Sequence, residues 1–151
     1  MDSKAYQDDA LKLFDEGFNC AQSVFAAFAP AFGLKRDHAL RIASAFGGGM
    51  NIGSTCGALT GAMMVLGLAA GFHAYDPQIK DSFAGLNRDL IKRFQEEAGH
   101  IDCRDILQID PTDARQKQAA REAGVLAERC PRCVWIATGN LLSMLQELDI
   151  V

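Results

Sequence analysis

The sequence predicts an all-α fold: one compact multi-helix domain over residues 1–151, with a buried Gly/Ala-rich helix at its centre. Three observations carry this reading. Strand signals are nearly absent, with no alternating Val/Ile/Thr/Tyr runs and no Asn-Gly or Asp-Gly hairpin turns. Helix-capping and helix-stopping residues recur at helix-length intervals. From Ile42 to Tyr75 the chain carries no Asp, Glu, Lys or Arg, as expected of a segment destined for the interior.

Each element has its own signal. Ser3 caps a first helix that runs to Gly17 with Ala10, Leu11, Leu13 and Phe14 at helical spacing. Asn19 caps a second, Gln22 completes a capping box, and Pro30 marks its end. A third spans about Asp37 to Phe46 and is broken by Gly47-Gly48-Gly49, where three glycines make helix continuation entropically costly. Ser54 or Thr55 caps the fourth, charge-free helix, which runs to about Ala70 and stops at Gly71. Its Gly53, Gly57 and Gly61 recur every four residues, so a neighbouring backbone can approach closely and a larger side chain there would overpack. This helix is expected to be the best-buried element, packed on the fifth and eighth. Asp76-Pro77 opens the fifth, which ends at Gly99. Asp102 opens a short sixth and Asp110-Pro111 a seventh ending near Gly124. Cys130-Pro131 opens an eighth that carries Val134, Leu141, Leu142, Leu145 and Leu148.

Composition narrows the function. Fifteen basic against nineteen acidic residues give a net charge of −4, with no basic run longer than two, which argues against a nucleic-acid partner. The charge-free segment is too rich in Gly, Ala, Ser and Thr for a lipid-facing helix, so no membrane insertion is expected. Met-Asp-Ser-Lys does not resemble a secretory leader, and a cytoplasmic location follows as the expectation. No GxSxG, phosphate loop or GxGxxG is present, and the acidic pairs Asp8-Asp9 and Glu96-Glu97 read as solvated helix faces.

The chemistry lies in the five cysteines. Cys20 follows cap Asn19, Cys56 follows Ser54-Thr55, Cys103 follows cap Asp102, and Cys130 is itself the expected cap before Pro131. Free amides and the helix dipole at such positions favour a thiolate, which is the nucleophile and the metal ligand. Arg104, Arg129 and Arg132 push the same way. Cys130-Pro-Arg-Cys133 is a CxxC without the βαβ context of a thioredoxin-like site, without the His of a haem attachment, and without a second zinc knuckle. His100 lies three residues before Cys103 and is the histidine placed to join a site; His38 and His73 are scattered.

These residues resemble a known family. Gly17-Phe18-Asn19-Cys20-Ala21, Phe46-Gly47-Gly48-Gly49-Met50, Cys56-Gly57-Ala58-Leu59-Thr60-Gly61, Cys103-Arg104-Asp105 and Cys130-Pro131 are similar to the redox-active family named for its C…CGAxxG…C…C signature, from about Ala10 to Leu148. The resemblance implies a small helical protein of unassigned reaction whose family cysteines are Cys20, Cys56, Cys103 and Cys130. Related domains in some multihaem cytochromes suggest electron-transfer chemistry, and members are often encoded near transporter genes. Cys133 stands outside the family pattern.

Three readings follow, the last of them a structural helical domain whose cysteines are relics or core residues. In the first, Cys20, Cys56, Cys103, Cys130 and Cys133 serve a cysteine-based redox or electron-transfer protein, by disulfide exchange or by an iron–sulfur cluster or transition metal on Cys20, Cys56, Cys103 and Cys130. In the second, the same four hold a metal in a non-catalytic binding or sensing module. A redox partner or a transport-system component is the expected partner, and an apolar helix face would serve a homodimer. Within the set, Cys130 is expected to be the most acidic thiol and Cys133 its resolving partner.

Overall fold

The computed structural model describes residues 2–151. Among them the chain forms eight α-helices: α1 Ser3–Asp15, α2 Cys20–Phe28, α3 Arg36–Ile42, α4 Gly57–Ala70, α5 Pro77–Ala98, α6 Cys103–Leu107, α7 Ala114–Glu122 and α8 Val125–Glu147. None of the described helices is long and apolar enough to cross a membrane. The charge-free stretch is divided between a glycine turn and the fourteen residues of α4.

The Gly/Ala-rich α4 is a buried helix as the sequence predicts, but the best-buried element is α2. Seven of its nine residues are buried, against seven of fourteen in α4. It lies against α1, α3, α4 and α8, and α4 packs on α2 first and on α8 and α5 second. The reason is the small-residue stripe. A Cβ at Gly61 would lie 2.7 Å from the Ala21 carbonyl oxygen and 3.1 Å from Ala21 Cα, and one at Gly57 would lie 3.1 Å from Ala21 N. The glycines of α4 thus receive the backbone of α2. Phe28, Val24, Leu59, Val65, Leu66, Phe94, Val134, Leu141 and Leu145 fill the space around this contact and are fully buried. Tyr6 of α1 stacks on Phe28 with ring centroids 4.6 Å apart.

Several helix starts move. Asp2, not Ser3, caps α1, accepting from Lys4 N. α3 begins at Arg36 with no side-chain cap and passes at Ala43 into a tighter turn. Asp110 instead ties its own turn by accepting from Thr112 N and Oγ1, and α7 starts three residues after Pro111, capped by Asp113. The largest shift is in α8. It begins at Val125, directly after Gly124 in the left-handed conformation, and continues through Pro131. The missing proline N–H leaves the Ala127 carbonyl without its helical donor, but a long buried stripe from Cys133 to Leu145 outweighs that local cost. Asn19 with Gln22, Asp76 with Pro77, and the left-handed Gly99 stand where expected.

Candidate functional site: a five-cysteine cavity

Four local devices bring the cysteines together. The first is the start of α2. Asn19 Oδ1 accepts from Gln22 N at 2.8 Å, Gln22 Oε1 accepts from Asn19 N at 3.1 Å, and Asn19 Nδ2 donates to the Ser44 carbonyl. This box fixes Cys20 as the first residue of α2. The second is a left-handed turn. Gly48, Gly49, Met50 and Asn51 all have φ near +60°, a conformation costly for the two non-glycine residues. Gly49 lies so close to the Ser54 backbone that no side chain fits, and Gly47 lies equally close to Asn19.

The third device is a two-bond antiparallel bridge between Thr55 and Asp102. Cys103 N donates to the Ser54 carbonyl at 2.7 Å and Cys56 N to the Ile101 carbonyl at 2.8 Å. In this register Cys56 and Cys103 point to the same side of the bridge. The fourth is α8, which carries Cys130 and Cys133 one helical turn apart.

All five thiols line one cavity of about 370 Å³. Cys56 and Cys133 are buried; Cys20, Cys103 and Cys130 are half-buried. The largest mutual influences on the thiol pKa values run between Cys20 and Cys130 and between Cys56 and Cys133, and the charges of Cys56 and Cys130 reach Cys20, Cys103 and Cys133 alike. Among the described residues no three His, Cys, Asp or Glu side chains are arranged to hold a metal ion. The donors are of the right type for a metal or cluster, but among the described residues they are not gathered around one centre.

The pairs are electrically asymmetric. The neighbouring Cys133 thiol, with the Ala58 and Leu59 amides close by, lowers the Cys56 pKa against the opposing effect of burial. Cys56 occupies the N-cap position of α4 without a side-chain capping bond, where the sequence placed Ser54 or Thr55. Cys133 is raised by that same bond and by burial. Cys130 is lowered by the hydrogen bond from Cys20 and by the charge of Lys117, while Cys20 is raised well above the ordinary thiol range. Burial, with Cys56 and Cys130 nearby, pushes Cys103 up to about 12.

Helix starts therefore do not act uniformly. Cys20, Cys56 and Cys103 do stand at them, but only Cys56 is lowered, while Cys20 and Cys103 are raised. The α2 amide of Gln22 is already taken by Asn19. Cys130 is not a cap; it lies six residues into α8. The arginines beside it are occupied elsewhere, Arg129 donating to the Ile106 carbonyl and Arg132 to that of Glu97. Arg104 donates to the Ile52 carbonyl. The cation acting on Cys130 is Lys117 of α7, which sequence reasoning missed because α7 is far from every cysteine along the chain. His100 lines neighbouring cavities with Asp105 and Gln108, not the one shared by the five thiols.

The family profile described as "Putative redox-active protein (C_GCAxxG_C_C)" matches residues 18–144. The chain belongs to this family. Within the C_GCAxxG_C_C match, Cys56 and Gly57 begin the CGAxxG segment and Gly61 ends it. That segment supplies at once the N-cap residue of α4 and the glycine contact with α2. No curated protein and no solved structure matches the chain.

Proposed function

We propose that this member of the redox-active family is a thiol–disulfide oxidoreductase, with Cys130 as attacking thiolate, Cys20 as resolving thiol and Cys56–Cys133 as a second, interior dithiol. The observation that carries this reading is five thiols lining one cavity, with Cys130, lowered by the neighbouring Cys20, only half-buried in it. Cys130 Sγ attacks one sulfur of a substrate disulfide. That disulfide breaks, its first thiolate leaves, and a mixed disulfide forms on Cys130. The hydrogen bond to Cys130 is the largest cause holding the Cys20 proton, and it disappears at this step. Cys20 then gives its proton to the departing thiolate and attacks the Cys130 sulfur. The second substrate thiolate is released and the Cys20–Cys130 disulfide closes. Two electrons pass to the substrate. Cys103, with its pKa near 12, stays protonated at neutral pH and takes no part as a nucleophile.

The test is a trap. Cys20→Ser should accumulate a mixed disulfide on Cys130 when mixed with a small aromatic disulfide, and Cys130→Ser should accumulate none there or at Cys20. An adduct forming first on Cys103 would overturn the assignment. So would stoichiometric iron or zinc in anaerobically purified protein, lost on Cys20→Ser, which would favour the metal-holding reading of the same cysteines.

A further inference from the structure

The walls of the cysteine cavity carry more positive charge than the thiols draw on: Lys117 lowers Cys130, but Arg121 is not among the groups that do. Besides the thiols it is lined by Phe14, Ile106, Leu107, Pro111 and Leu126, which are apolar, and by Lys117 and Arg121. No Asp or Glu lines it. The three neighbouring cavities all mix signs: Arg104 with Asp105 and Asp110, Asp37 with Arg41, and Glu128 with Arg129. In a chain of net charge −4, an exclusively cationic cavity is a local inversion.

Lys117 and Arg121 stand four residues apart on α7, hence on one face of it. Neither forms an ion pair among the described residues, whose salt bridges join Arg36 to Asp9 and Arg93 to Asp89 and Glu147. The carboxylates nearest in sequence are engaged elsewhere. Asp113 caps α7 through Arg115 N and Gln116 N, Asp110 holds Thr112, and Glu122 accepts from Gln118 Nε2. Two exposed cations thus line a largely apolar cavity together with the thiols, with no carboxylate among its lining residues.

We infer that the cavity takes a small disulfide bearing carboxylate groups, its carboxylates seated on Lys117 and Arg121 and one of its sulfurs against Cys130. This inference rests on the thiol–disulfide reading above. About 370 Å³ suits a low-molecular-mass ligand rather than a folded protein segment. The apolar residues cover the methylenes beside the sulfurs. A guanidinium forks onto a carboxylate and an ammonium supplies a point charge, so one substrate can use both. The exchange is the one already balanced: two protein thiols become the Cys20–Cys130 disulfide and the bound disulfide becomes two anionic thiols.

Three disulfides of similar size test it: dithiodipropionate, bis(hydroxyethyl) disulfide and cystamine, which are anionic, neutral and cationic. Each rate of oxidation of the reduced protein is divided by the rate of dithiothreitol with the same disulfide at the same pH, which removes leaving-group differences. The expected order is anionic over neutral over cationic, by about tenfold per step at low ionic strength and shrinking as salt screens the two cations. Arg121→Gln should bring the anionic-to-neutral ratio toward one, and Arg121→Lys should restore part of it. Equal normalised rates, or a cationic preference, would overturn the inference while leaving the thiol–disulfide reading intact. No exchange with any of the three would overturn both.

Discussion

A methyl group added at Gly61 and one added at Gly67 should move stability in opposite directions, although both lie in α4. At Gly61 the new Cβ falls 2.7 Å from the Ala21 carbonyl oxygen and 3.1 Å from both Ala21 Cα and Val24 Cβ. Two of these three are backbone atoms, so α2 itself must retreat. Ordinary contact lies near 3.5–4.0 Å, which sets the retreat at roughly half an ångström or more. Overpacking of this kind costs about 1–3 kcal/mol, and the gain in helix propensity from Gly to Ala offsets about 1 of that. Gly61→Ala should therefore be destabilised by up to about 2 kcal/mol. At Gly67 the nearest atom is Phe83 Cζ at 4.0 Å, so only the propensity gain remains and Gly67→Ala should be stabilised by about 0.5–1 kcal/mol. Urea and thermal unfolding of both variants read the difference, about 2–4 °C in Tm per kcal/mol for a domain of this size. A Gly61→Ala variant at least as stable as the parent would refute the close approach of α2 and α4, and with it the placement of Cys20 beside Cys56.

Other outcomes follow from single contacts. Asn19→Ala removes the Gln22 cap and the tie to Ser44, and should cost about 1–2 kcal/mol in urea unfolding while raising the alkylation rate of Cys20. In a pH series of alkylation read by mass spectrometry, Cys130 should label at lower pH than Cys103, whose pKa near 12 keeps it protonated through neutral pH. Cys103 also shapes stability. Its folded pKa lies above the ordinary 9.0, so its contribution is complete below about pH 9 and is lost as pH rises toward 12. Cys103→Ala should therefore flatten the alkaline limb of the stability curve. Pro131→Ala restores a donor to the Ala127 carbonyl within α8 and should raise Tm.

How far the sequence could be read depended on the range of the interaction concerned. The Asn19–Gln22 box, Asp76-Pro77 and Gly99 act within one turn, and each was legible. Cys130-Pro131 misled because a proline at a first helical position and one tolerated inside a helix look alike locally. The true start, left-handed Gly124, had been read only as the end of α7. The glycine spacing of α4 announced a close neighbour but not its identity, because α2 has equally small residues at Ala21, Ala26 and Ala27 and nothing local ranks the partners. The helix starts of Cys20, Cys56 and Cys103 were legible, and Cys130 only through the signature. That all five line one cavity was not, because it depends on the Thr55–Asp102 bridge and on the approach of α8 to α2, contacts between residues far apart in sequence. Lys117 and Arg121 carried a weak signal, a four-residue spacing on a capped helix, with nothing to say which cavity they face.

The most direct test of the pairing is linkage mapping. The reduced protein is oxidised with a mild disulfide, quenched in acid, digested without reduction, and its linked peptides are identified by mass spectrometry. The predicted products are Cys20–Cys130 and Cys56–Cys133, with Cys103 recovered as a free thiol. A dominant Cys130–Cys133 linkage within α8, or any major linkage through Cys103, would contradict the account.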